Sequence, residues 1–167
     1  MNNTSKKFTC IPYDISKPAI FFSDSEELEK LTKAAGIEEY EIDTLDLDNE
    51  DSELFEKIKA KAGSLKAFEM HEEGDLHYTW EKAAFCYLLD MGYDVEAAFD
   101  KYERVSILSG DLKDYAEELI EEMDLNPTIK WCIDVDLYAR EISHDGNFCE
   151  ITFGSNDYLI TNHNEKL

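Results

Sequence analysis

The stretch that most constrains this chain is Asp111-Leu-Lys-Asp-Tyr-Ala-Glu-Glu-Leu-Ile-Glu-Glu-Met-Asp124. Leu112, Tyr115, Ala116, Leu119, Ile120 and Met123 recur at steps of three and four, which is the apolar stripe of an amphipathic helix. Asp111 is the expected N-cap, and Asn126-Pro127 the stop. The opposite face carries Asp111, Asp114, Glu117, Glu118, Glu121, Glu122 and Asp124 against one base, Lys113. Acids suit a helix N-terminus, but Glu121, Glu122 and Asp124 sit where the helix dipole favours cations. Glu117 with Glu121, and Glu118 with Glu122, are like charges at i,i+4 and cost about 0.2–0.5 kcal/mol per pair. A helix selected for stability alone would carry lysines there. The row of carboxylates is kept at the expense of the fold.

The whole chain repeats that choice. Its 167 residues hold 39 acids against 16 bases, a net charge of −23. Such a chain is repelled by nucleic acids and anionic membranes and drawn to basic surfaces, of which nucleic-acid-binding clefts are the most extensive in a cell. Acidity that serves only solubility, or a saline habitat, is the plain alternative. A hydrophobic fraction of 43% with 12% aromatics argues for a folded protein instead of a disordered acidic tail. No run reaches the roughly 18 apolar residues of a membrane span. Cys10, Cys86, Cys132 and Cys149 form no CxxC motif, and the opening Met-Asn-Asn-Thr-Ser-Lys-Lys is polar, without the apolar core of a signal peptide. The expectation is a reduced, cytoplasmic protein whose cysteines are mostly small buried hydrophobes.

The pattern predicts an α+β fold: an elongated chain of three small abutting modules. Residues 1–70 form a small sheet plus helix, residues 71–103 a helical middle, and residues 104–167 helices plus a β-hairpin. Short strands are expected over 8–11, 19–22 and 40–45, with a helix that starts within Ser23-Asp-Ser-Glu-Glu27, buries Leu28, Leu31, Thr32 and Ala35 and is closed by Gly36. Ten acids without a lysine or arginine lie between Glu38 and Glu56, interleaved with Tyr40, Ile42, Leu45, Leu47, Leu54 and Phe55, so order is expected there. A helix over 52–61, a strand over 65–70 and helices over 77–91 and 95–102 follow. A strand over 105–108, the acidic helix, a helix over 133–142 and a hairpin of 147–153 with 158–161 complete the reading. The last two strands are joined by Gly154 to Asp157.

Chemistry is sparse. A calcium loop starting at Asp46 places Asp51 where a glycine is needed and Lys57 where a bidentate glutamate is needed. His71, His77, His144 and His163 have no zinc-ligand spacing, and no glycine-rich phosphate loop exists. Cys149 near His144 reads as core, and with 39 acids any glycosidase-like carboxylate pair is uninformative. No catalytic residue, metal site or cofactor is expected. Trp80 and Trp131 are expected in core or interface packing.

The C-terminal third resembles the ArdA family of antirestriction proteins. The residues that carry this are Arg104-Val-Ser-Ile-Leu-Ser-Gly-Asp111, the helix with Tyr115-Ala116-Glu117-Glu118-Leu119, and Trp131-Cys-Ile-Asp134 followed by Arg140-Glu-Ile142. The hairpin ending in Tyr158-Leu-Ile-Thr-Asn162, the segment Gly36-Ile-Glu-Glu-Tyr-Glu-Ile42 and Gly92-Tyr-Asp-Val-Glu-Ala-Ala98 extend the resemblance over most of 20–162. The chain departs from the family at its start, where Phe8 to Phe22 is short and lacks the Tyr-Asn-Glu-Gly segment. The resemblance implies a curved homodimer, joined through its C-terminal module, that imitates bent duplex DNA and blocks type I restriction–modification enzymes. Two chains at −23 each carry 46 net negative charges, about the number on 80 Å of duplex.

Two alternatives stand beside it: an inhibitor of a CRISPR effector, whose nucleic-acid channel is also basic, and an acidic adaptor without mimicry. The expected target-binding surface is one stripe of Asp111, Asp114, Glu117, Glu118, Glu121 and Glu122 and another of Glu38, Glu39, Glu41, Asp43, Asp46 and Asp48. Phe153, Tyr158 and Ile160 are expected at the dimer contact.

Overall fold

The computed structural model describes residues 6–144 and 146–165, so the opening stretch 1–5, Asp145 and 166–167 lie outside it. The fold is mixed α+β. In chain order the elements are β1 (Phe8–Pro12), β2 (Ile20–Phe22), α1 (Ser25–Ala35), β3 (Tyr40–Thr44), α2 (Asn49–Ala62), α3 (Ser64–Glu73), α4 (Thr79–Asp90) and α5 (Val95–Phe99). After a 3-10 turn at Tyr102–Arg104 come β4 (Ile107–Ser109), α6 (Leu112–Glu122), α7 (Pro127–Lys130), α8 (Val135–Ser143), β5 (Cys149–Phe153) and β6 (Asn156–Ile160). The strands form two antiparallel three-stranded sheets, ordered β2-β1-β3 and β4-β6-β5.

The first sheet buries Phe8, Cys10, Phe22 and Ile42 on its inner face. Phe8 stacks on Phe22 at 5.7 Å and meets Phe55 of α2 at 5.8 Å and Phe68 of α3 at 5.0 Å. Each buried phenyl ring contributes about 1.5–3 kcal/mol by leaving water, and each ring pair about 0.5–1.5 kcal/mol more. This aromatic knot fixes β1, β2, α2 and α3 together.

Residues 65–70, expected as a strand, lie in helix α3. Gly63 at φ 90° ends α2 and starts α3, and Gly74 at φ 64° closes α3 with its N–H on the Met70 carbonyl. Ala67 and Phe68 are consecutive buried residues and Leu65 is exposed, which a strand's strict alternation would not give.

Helix α4 is the centre of the molecule. Ala83 through Leu89 are buried without interruption, as happens only when a helix is covered on every side. Helices α2 and α5 flank it, and the second sheet covers it with Ile107, Cys149, Ile151, Phe153, Tyr158 and Ile160. One hydrophobic cluster thus runs from Phe8 to Ile160. Leu159 points to the other face of the second sheet and is also fully buried. Helices α6 and α8 pack together with Ala116, Ile120 and Ala139 inside, and Tyr115 lies against Phe148 beside β5, 5.7 Å between rings.

Candidate acidic recognition surface

The α6 stripe is built as its spacing predicts. The Asp111 carboxylate accepts the Asp114 N–H at 2.9 Å and Asp114 returns the favour to the Asp111 N–H at 3.1 Å, a reciprocal capping box. These two acids therefore satisfy backbone N–H groups at the helix start. Glu117, Glu118, Glu121 and Glu122 are exposed and make no ion pair among the described residues. Lys113, the single base on the helix, is turned to Asp136 of α8 at 2.8 Å. From Asp111 to Asp114 and on to Glu122 the six acids span about 16 Å at 1.5 Å per residue. Their density approaches the one phosphate per about 3.4 Å of a single DNA strand.

The second expected stripe divides. Glu38 and Glu39 are exposed in the turn before β3, and Asp46 and Asp48 are exposed before α2. Asp48 caps α2 by accepting the Asp51 N–H at 2.8 Å. Glu41 and Asp43, by contrast, share Lys59 at 2.9 and 3.5 Å. Burial opposes the Lys59 charge, yet the Glu41 hydrogen bond and the nearby Asp43 and Glu56 hold its pKa above the ordinary lysine value. Those two carboxylates answer to a cation of their own chain.

Other acids in the same dense run bind the fold together. Glu50 accepts from the Thr79 hydroxyl at 2.7 Å and the Asn156 amide at 3.4 Å, Glu53 accepts the Gly154 N–H at 2.8 Å, and Asp51 pairs with Lys82. Glu150 accepts the Leu112 N–H at 2.9 Å and anchors the start of α6 on β5. Nothing in the local sequence separates these from surface acids, because their partners lie 29 to 106 positions away.

Phe153, Tyr158 and Ile160, expected at a dimer contact, are 1, 5 and 0% exposed within one chain and pack in the main core. A contact between two copies would draw on other side chains. Trp131, expected in core or interface packing, is 89% exposed on the C-cap of α7. It closes a short helix that was not expected, since Asn126-Pro127, read as a stop for α6, is also the N-cap and first residue of α7.

Among the described residues no group of three or more His, Cys, Asp or Glu side chains is placed to hold a metal ion, and no helix is long and apolar enough to cross a membrane. Cys10 and Cys86 are buried, and burial pushes both thiols above their ordinary pKa. No family model, curated protein or solved structure matches the chain.

Proposed function

We propose that the protein is an acidic decoy of DNA, of the ArdA antirestriction kind, that occupies the DNA-binding cleft of a type I restriction–modification enzyme in the cytoplasm. One observation carries this reading: Glu117, Glu118, Glu121 and Glu122 are held on one capped helix, exposed and without ion-pair partners among the described residues. Carboxylates on a rigid element lose little freedom on binding, and the target's Lys and Arg side chains release counter-ions as they would from phosphates. Glu38, Glu39, Asp46 and Asp48, exposed before β3 and before α2, add to the negative charge offered to the target. Glu41 and Asp43 contribute less, because Lys59 offsets them.

The test is competition. A type I methyltransferase complex is held on a sensor surface and the protein is titrated with and without excess duplex carrying the recognition site. Loss of binding as duplex is added supports the decoy. Binding that excess duplex leaves unchanged points to an acidic adaptor instead. Cleavage assays with a CRISPR effector run in parallel identify the other nuclease class.

A further inference from the structure

Beside the carboxylate row, α6, α7 and the start of α8 enclose an open groove. Its apolar lining is Ile120, Pro127, Trp131, Ile133 and Val135, and Glu117 and Glu121 border it. Lys130, also at its edge, turns its ammonium to the Glu121 carbonyl at 2.5 Å, across the end of α6. Trp131 is 89% exposed, so its indole is nearly bare at the groove. Single exposed apolar residues are ordinary, but an apolar-lined groove that includes an exposed Trp marks a contact site. Phosphate imitation has no use for such a groove.

The surrounding charge selects the occupant. Residues 111–144 hold ten acids (Asp111, Asp114, Glu117, Glu118, Glu121, Glu122, Asp124, Asp134, Asp136, Glu141) against Lys113, Lys130 and Arg140. A second copy docking here would bring two such rows together, which like-charge repulsion opposes. We propose that the groove seats a cationic amphipathic segment of the target protein. An apolar side chain of that segment packs between Trp131 and Ile133 while its Lys or Arg residues meet Glu117 and Glu121. This deepens the decoy reading and rests on it for the basic character of the target. It adds an apolar anchor whose strength, unlike that of charge pairs, persists in salt.

The test uses the full chain and two labelled peptides of equal charge, an amphipathic Leu/Lys helix and an oligolysine, followed by fluorescence anisotropy. At about 300 mM NaCl, where charge pairs are screened, the Leu/Lys peptide is expected to bind about tenfold more tightly than oligolysine. In a Trp80→Phe background the Trp131 emission shifts to the blue as the peptide binds. Trp131→Ala removes the difference between the peptides, and Glu117→Gln with Glu121→Gln weakens both chiefly at low salt. All four replaced side chains are exposed, so the fold is retained, as circular dichroism checks. Equal affinities for the two peptides, or tight Leu/Lys binding that Trp131→Ala leaves intact, overturns the proposal. So does a concentration-dependent blue shift without peptide, accompanied by dimers in sedimentation, because the occupant is then a second copy. Peptide discrimination alongside failed duplex competition sinks the decoy and leaves the groove standing. The reverse pattern sinks the groove alone.

Discussion

Glu53 accepts the Gly154 N–H across 101 positions of chain, and that bond shows how single acids here serve the fold instead of the surface. Gly154 sits at φ 62° in the two-residue turn between β5 and β6, with no positive φ at Ser155, the pattern of a II′ hairpin that wants glycine first. A methyl group there would come 2.7 Å from the Glu50 Cγ. Urea denaturation of Glu53→Ala should show a loss of about 1–3 kcal/mol, from a part-buried N–H left unpaired. Gly154→Ala should lose about as much, from strain. His71 gives a separate signal. It lies edge-on to Phe8 at 5.1 Å, and burial depresses its pKa below the ordinary value. The unfolded chain therefore takes up this proton at higher pH than the folded one. The stability owed to neutral His71 is full above about pH 6.5 and is lost as pH falls toward the depressed folded value. Denaturation curves between pH 7.5 and pH 5 should show that fall, and His71→Gln should reduce it. None of these partnerships was legible in the sequence, since a carboxylate destined for a distant N–H looks like any other.

Elements were more legible than their partnerships. Helix α6 was readable because its apolar spacing, its Asp111 cap and its Pro127 stop all agree. Helix α3 was not, because six residues with Leu65, Ala67, Phe68 and Met70 fit a strand or a helix, and only Gly63 and Gly74 at its ends decide. The sequence pattern places helix α4, but not the burial of its whole circumference between Ala83 and Leu89. The full wrapping comes from a second sheet that is contributed by residues far along the chain. Glu121→Lys with Glu122→Lys replaces two acids at the negative end of α6 and turns two repulsive i,i+4 pairs into attractive ones. The double variant should gain about 0.5–1 kcal/mol of stability by thermal denaturation. The same variant should bind the proposed restriction–modification target more weakly. A variant both more stable and fully inhibitory would mean that the charge row has no binding role.

For the molecule as a whole the net charge of −23 dominates. Seven ion pairs are formed among the described residues by Lys6, Lys57, Lys59, Lys66, Lys82 and Lys113, which leaves most carboxylates facing solvent or capping groups. The folded state stores self-repulsion that salt screens. Its melting temperature should therefore rise between about 10 mM and about 500 mM NaCl, by scanning calorimetry, whereas its affinity for the target falls over the same range. A protein held mainly by surface ion pairs would lose stability instead. Whether ordered carboxylates stand in for phosphates is decided by titrating a type I methyltransferase complex with the protein at several concentrations of specific duplex. Apparent affinity should fall in proportion to free duplex, with no ternary complex. A ternary complex of enzyme, duplex and protein, with affinity unchanged, would contradict it.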